Sequence, residues 1–130
     1  MTTTVKQKSS RMNKFAASLA LLIGVMAVFA GGRVLLGIMP DYYVIDWLPV
    51  YNFIVGVITV LFSAVVIWKN DTFAMPAAIG TFGVHAIVML ILLTAYREVV
   101  AIDSLVAMSV RLVFWIVILT LLFVQRRKKL

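Results

Sequence analysis

Arg111 and His85 are the residues of this chain with the most distinctive chemistry, because each interrupts a long apolar run. Arg111 lies in the run at residues 104–124, and His85, the single histidine, lies at the centre of the run at residues 73–95. An arginine inside a membrane-spanning run is costly to insert and is by default a functional-site hypothesis. A buried imidazole could relay protons or bind a metal ion.

Two further polar residues fall at comparable levels of the predicted helices. Asn52 lies at a depth similar to that of Arg111, and Arg33 lies near the outer end of the first run. These positions predict a shallow polar pocket in the outer half of a helical bundle, open to the extracytoplasmic side. Its ligand-binding residues would be Arg111, Asn52, His85 and Arg33.

The same residues also have purely structural interpretations. Arg111 could extend its guanidinium toward the outer surface, or it could be held within the bundle by a carboxylate or by Asn52. The candidate ion-pair partners are Glu98, Asp103 and Asp46. His85 could be a neutral histidine that is hydrogen-bonded to Thr81 or to a neighbouring helix. The sequence leaves the functional and the structural interpretation open for both residues.

No metal site and no cofactor are predicted. A haem bound by two histidines would need a second imidazole, and the nearest alternatives are a methionine such as Met89 at i+4 or the His85 of a second copy. The chain contains no cysteine, which excludes disulfides and thiolate metal sites. Four carboxylates fall in the predicted outer loops: Asp41, Asp46, Glu98 and Asp103. They are expected to pair with Arg33 and Arg97 rather than to bind a divalent cation.

Signatures of common enzyme classes are missing from the sequence. It contains no Gly-rich phosphate loop, no HExxH motif and no GxSxG motif. It also lacks an acidic motif of the type found in lipid head-group transferases. We therefore predict that the protein is not an enzyme.

Four apolar runs must position these residues. They cover residues 15–38, 47–68, 73–95 and 104–124, and each has about the ~20 residues that a membrane-spanning helix needs. A content of 64% hydrophobic and 13% charged residues agrees with an integral membrane protein. The sequence predicts an all-α bundle of four transmembrane helices at residues 15–124. A disordered basic tail at residues 1–14 and a short basic tail at residues 125–130 complete the chain.

The distribution of positive charge predicts the orientation of the bundle. Nine of the twelve Lys and Arg residues fall on one side of the predicted spans, and such residues are retained in the cytoplasm. They are Lys6, Lys8, Arg11, Lys14, Lys69, Arg126, Arg127, Lys128 and Lys129. The bundle should therefore be antiparallel, up-down-up-down, with both termini cytoplasmic. The net charge of +7 is explained by contact with membrane lipids, so no nucleic-acid partner is expected.

The start of the chain also resembles a signal peptide, because a basic segment and an apolar run precede the small residues at positions 30–32. Apolar sequence resumes after Arg33, however. Removal of the first run would leave an odd number of crossings, against the charge distribution.

The spacing of small and polar residues predicts which helix faces are buried. In the first helix they form one stripe: Ala17, Ala20, Gly24, Ala27 and Gly31. In the second they also lie on one side: Asn52, Gly56, Thr59 and Ser63. The third helix has polar residues on one face (Thr81, His85 and Tyr96) and small or polar residues on the opposite face (Gly80, Gly83 and Thr94). Two such faces favour a homo-oligomer or a partner subunit.

Three segments resemble a group of uncharacterised small four-span bacterial inner-membrane proteins. They are Gly31–Gly37, Tyr51–Phe53 with Gly56, and Val106–Met108 with Arg111 and Trp115. The resemblance implies a four-span fold in the bacterial inner membrane and no particular activity. The leading functional hypothesis is a non-enzymatic membrane protein that acts through helix–helix contacts. The alternative is a protein that binds or transports a small molecule, quinone or lipid at the outer pocket, and a haem or redox protein is a remote third.

Overall fold

Four helices that are long and apolar enough to cross a membrane make up most of the protein. The structure, a computed structural model, describes the backbone of residues 2–69 and 72–129 and the side chains of residues 11–69 and 72–125. The candidate spans are Arg11–Leu35, Leu48–Trp68, Ala74–Thr94 and Ile102–Gln125. Helix accounts for 81% of the chain, and the described residues include no strand. The predicted all-helical fold with four spans is confirmed, with ends that differ by a few residues.

The second span is not a continuous α-helix. Helix α1 covers Thr2–Leu35, and the second span consists of α2 (Leu48–Ile58), a π-helical turn (Thr59–Ser63) and α3 (Ala64–Trp68). Helices α4 (Ala74–Thr94) and α5 (Ile102–Lys129) form the third and fourth spans. In the π-helical turn the Ala64 N–H donates to the Thr59 carbonyl, five residues earlier. Such turns occur often at functional sites.

The structure differs from the prediction at both ends of the chain. Residues 1–14 were predicted to be a disordered tail, yet α1 begins at Thr2, because no Pro or Gly interrupts the helix before Gly24. Asn13 is fully buried, and its side-chain Nδ2 donates to the Ile67 carbonyl at 2.7 Å. At the other end, α5 continues to Lys129, beyond the predicted boundary of the bundle.

A glycine ends α1. Gly37 has φ of +95°, a conformation that favours glycine. The Gly37 N–H donates to the Val34 carbonyl at 2.9 Å, and the Ile38 N–H donates to the Arg33 carbonyl at 2.9 Å. This pair of hydrogen bonds is the Schellman motif, which satisfies the last carbonyls of a helix. The connection to α2 therefore begins at Gly37.

The first span packs closely on the second through glycines. A Cβ atom added at Gly31 would lie 2.7 Å from the Phe53 backbone nitrogen, and one added at Gly56 would lie 2.8 Å from the Val28 nitrogen. Such distances leave no space for a side chain, so backbone approaches backbone here. Ala17, Ala20 and Ala27 are buried on the same stripe. The predicted inward face of the first helix is confirmed.

Polar residues separate two apolar clusters within the bundle. Asn13 and Trp47 lie at opposite ends of the bundle, and we name each end after the residue that lies there. The cluster toward the Asn13 end contains Ile67, Trp115 and Ile118, whereas the cluster toward the Trp47 end contains Leu48, Leu92 and Met108. Between the two clusters lie the four residues that we call the polar layer: Tyr51, Asn52, His85 and Arg111.

Candidate functional site

A buried arginine is the main feature of the polar layer. Arg111 is only 6% exposed, and one of its terminal nitrogens, Nη1, donates a hydrogen bond to the side-chain oxygen of Asn52. The second span supplies the amide and the fourth span supplies the guanidinium. The hydrogen bond therefore joins two helices that are distant in sequence.

The same layer holds a buried histidine. His85 is 3% exposed, and its Nδ1 is hydrogen-bonded to the Tyr51 hydroxyl, while the two rings pack edge to face with centroids 5.8 Å apart. If the hydroxyl donates, the neutral imidazole carries its proton on Nε2. Of the two structural interpretations that the sequence offered for His85, the structure shows the contact with a neighbouring helix.

The polar layer carries a positive charge and an excess of donors. Arg111 is bonded to Asn52, which directly follows Tyr51, the hydrogen-bond partner of His85. A guanidinium has five N–H donors, and one of them is used by Asn52. The described partners of Arg111 in the layer are neutral. Chemically, this arrangement could bind a group with negatively charged or strongly accepting oxygen atoms.

The remaining residues predicted for the site lie elsewhere. Arg33 is exposed, its guanidinium carbon lies 5.3 Å from the centroid of the Phe29 ring, and it lines a separate small cavity of about 120 Å³ with Tyr42. The candidate ion-pair partners are also exposed: Glu98, Asp103 and Asp46. The structure thus brings together Arg111, Asn52 and His85. The hydrogen-bond partner that it shows for Arg111 is the side-chain amide of Asn52 and not one of the predicted carboxylates.

Tyr51 and Trp47 also belong to this region, although neither was predicted as a site residue, and Tyr96 was predicted only to share a face with His85. The Trp47 indole Nε1 donates to the Tyr96 hydroxyl at 3.1 Å, and the Trp47 and Tyr51 rings meet edge to face at 6.3 Å. These contacts join the second and third spans beside the polar layer. The available signal was the i, i+4 spacing of Trp47 and Tyr51, which places both rings on one helix face.

Hydroxyl groups continue the polar face of the second span toward the Asn13 end. Thr59 and Ser63 are buried, and the Ser63 hydroxyl lies 3.2 Å from that of Thr81 on the third span. The Thr59 hydroxyl also donates to the Val55 carbonyl at 2.7 Å. The predicted inward face of the second helix is confirmed. Thr81 and His85 show that the polar face of the third helix also points inward.

A groove follows the contact between the second and third spans, and we call it the seam groove. Its volume is about 310 Å³, within the ~300–1,000 Å³ typical of ligand pockets. Its apolar wall consists of Val55, Ile58, Phe62, Ala77, Gly80 and Val84. The third span approaches the second closely at the π-helical turn and at α3, but not along α2. The groove therefore ends near the part of the bundle where the two spans separate.

Metal ligands do not cluster in the described part of the chain. Among residues 11–69 and 72–125, no group of three or more His, Cys, Asp or Glu side chains comes together in a way that could hold a metal ion.

Comparison with known proteins finds no match to this chain, whether among protein-family models, curated proteins or solved structures.

Proposed function

We propose that this protein is a non-enzymatic integral membrane protein that acts through lateral helix–helix contacts, as a homo-oligomer or as an accessory subunit. The resemblance noted above supports a place in the bacterial inner membrane. The observation that carries the proposal is the third span. Within its apolar stretch, only 22% is buried inside the protein, against 39% for the corresponding stretch of the first span.

The exposed face of the third span has the properties of a helix-packing surface. A Cβ atom added at Gly83 would meet no neighbouring atom within 4 Å. Ile79, Ile87 and Leu90 are exposed around Gly83. In lipid, small residues between larger ones allow a second helix to approach closely. Thr81 and His85 of this span face inward, so the face that carries Gly83 is left for a partner.

Gly83→Leu is expected to weaken oligomerisation or subunit association at least tenfold without impairing the fold. The added Cβ atom meets nothing within 4 Å in the protomer, whereas a leucine side chain on this face blocks close approach of another helix. The measurement is native mass spectrometry of protein extracted in its own lipid, with cross-linking in membranes as a second readout. Ala107→Leu on the fourth span is the matched control, because Ala107 is also small and exposed. A monomeric parent with no co-purifying subunit, or a variant that associates as the parent does, would contradict the proposal.

Contacts between helix ends support the proposed antiparallel bundle. Asn13, near the start of the first span, reaches Ile67, near the end of the second. Gly31, near the end of the first span, adjoins Pro49, near the start of the second. Together with the positive residues in the terminal segments and at Lys69, these contacts support an up-down-up-down arrangement with cytoplasmic termini.

Reporter fusions test the orientation. A cytoplasm-active reporter is expected to work when fused after Leu130 or before Met1, and a periplasm-active reporter is expected to work when inserted near Tyr43. The positive residues on one side are the physical reason. Activity of a periplasmic reporter at Leu130, or a mature N-terminus near Gly31, would refute this orientation.

A second candidate function is binding of a small molecule at the polar layer. It is favoured by one observation: a buried guanidinium whose hydrogen-bond partner is a neutral amide. A buried charge without an opposite charge is unfavourable, so a ligand that supplies acceptor oxygens would stabilise it.

A further inference from the structure

We propose that the second and third spans bind a single-chain amphiphile with a carboxylate head group, such as a long-chain fatty acid. Its chain lies in the seam groove, and its carboxylate lies at the polar layer beside Arg111. This inference rests on the second candidate function, because it names the class of ligand that the polar layer takes.

Charge selects the head group. Arg111 is buried, and the groups around it in the polar layer (Asn52, Tyr51 and His85) are uncharged when the imidazole is neutral. A carboxylate offers two oxygens to the N–H donors that the Asn52 bond leaves on the guanidinium, in the planar geometry that arginine prefers. It also neutralises the positive charge of the layer. A neutral head group would supply acceptors but no opposite charge.

The position of the seam groove selects the apolar chain. The residues of the polar layer do not line the groove, but two residues that do are close to them along the helices: Val84 adjoins His85 in sequence, and Val55 follows Tyr51 by one helical turn. Its wall is almost entirely apolar. The groove lies between two spans, where hydrocarbon chains of the bilayer surround the protein. An acyl chain can therefore enter the groove laterally from the bilayer, because the two helices do not have to move apart.

The separation of α2 from α4 gives the head group a route to Arg111. Their backbones do not approach closely at this level, and the Tyr51–His85 hydrogen bond connects the two spans across the gap. A carboxylate reaches Arg111 past these two side chains, which rotate about single bonds. His85 Nε2–H is a further donor for the carboxylate when Tyr51 donates to Nδ1.

The depth of Arg111 favours a single-chain amphiphile over a phospholipid. Arg111 lies about 13 Å along the helix from Ile102, at ~1.5 Å per residue. The hydrocarbon core of a bilayer is ~30 Å thick, so this residue is well below the surface. A phospholipid phosphate is held at the surface by its zwitterionic or glycerol head group. A fatty-acid carboxylate is small enough to move to the depth of the guanidinium.

The test compares three lipids of known structure in nanodiscs that contain the full-length protein. Palmitate, hexadecanol and phosphatidylglycerol are added in turn, and native mass spectrometry counts the molecules retained per protomer. Palmitate is expected to bind one per protomer and at least tenfold more tightly than hexadecanol, which has the same chain without the charge. Equal retention of hexadecanol would overturn the inference, because the head group would then make no contact with Arg111. Preferential retention of phosphatidylglycerol would overturn it as well.

Two variants separate the head-group contact from the chain contact. Arg111→Gln is expected to reduce palmitate binding to the level of hexadecanol. Gly80→Leu is expected to reduce binding of both, because Gly80 lines the seam groove and an added Cβ atom there meets nothing within 4 Å, so the longer side chain projects into the groove. Gly83→Leu, outside the groove, is the control and should bind palmitate as the parent does. Unchanged palmitate binding by Gly80→Leu would contradict the proposed place of the chain.

The outcomes distinguish this inference from the function on which it rests. If palmitate does not bind but another molecule co-purifies with the parent and is lost from Arg111→Gln, the fatty-acid inference is wrong and the binding function stands. If no retained molecule depends on Arg111, both are wrong. Since Gly80→Leu leaves Arg111 intact, its result remains decisive even if Arg111→Gln does not fold.

Discussion

Gly31→Ala is expected to destabilise the bundle by about 1–3 kcal/mol, the typical effect of forcing an extra group into a packed interior. The single added Cβ atom would lie 2.7 Å from the Phe53 nitrogen and closer still to the Pro49 carbonyl oxygen. Both are backbone atoms, so rotation of a side chain cannot relieve the overlap. The first and second spans would have to separate. The measurement is the free energy of unfolding in mixed micelles, from the loss of helical signal with increasing denaturing detergent.

Gly83→Ala is the matched control for this prediction. It introduces the same atom into another transmembrane helix, at a position where no atom lies within 4 Å. Its stability should equal or slightly exceed that of the parent, because alanine favours a helix more than glycine does. Gly24 provides an intermediate case, since a Cβ atom there would lie 3.0 Å from Thr59 and Val60 side-chain methyl carbons, which can adjust. Equal stabilities for Gly31→Ala and Gly83→Ala would show that the first two spans do not meet at Gly31.

Asn52→Ala should destabilise the protein by about 2–3 kcal/mol, whereas Arg111→Leu should leave its stability unchanged or raise it. Loss of the amide leaves a buried guanidinium without its partner, and an unsatisfied buried charged group costs at least that much. Replacement of the arginine instead removes the charge itself. A leucine in its place would pack against the apolar clusters on either side, and the cost of burying a charge disappears.

The double variant completes the test. In the Arg111→Leu background, Asn52→Ala should have a much smaller effect than in the parent, because the charge that needed the amide is gone. The coupling free energy is the difference between the stability change of the double variant and the sum of the changes of the two single variants. It measures the interaction between the two side chains separately from the other effects of each substitution. Additive effects would mean that the Asn52–Arg111 hydrogen bond does not stabilise the fold. If Arg111→Leu folds as expected but loses a molecule that co-purifies with the parent, the arginine serves binding.

Most of the fold follows from local properties of the sequence. The length of each apolar run sets the number of spans, and the 3.6-residue period sets which residues share a face. These properties belong to one helix at a time. That is why the inward stripe of the first helix and the polar side of the second, from Asn52 to Ser63, could be predicted without knowledge of their neighbours.

The place where the first helix begins depends on more than the apolarity of the sequence. The predicted tail at residues 1–14 is low in apolar residues, yet Asn13 is buried and bonded to Ile67. An amide can lie inside the bundle when a helix-end carbonyl is available to accept its hydrogen bond. The position of that carbonyl is set by the second span, so no signal for the contact exists near Asn13.

Only the tertiary structure decided the partners in the polar layer. By itself the sequence determined that Arg111 needs a partner, and it offered Asn52 together with Glu98, Asp103 and Asp46. The choice among them depends on the rotation and depth of each helix relative to the others, which local periodicity does not specify. The same reason explains why Tyr51 was missed as the partner of His85. It also explains why Gly31 and Gly83, identical in the sequence, differ so much: one faces the backbone of another span, and the other faces open space.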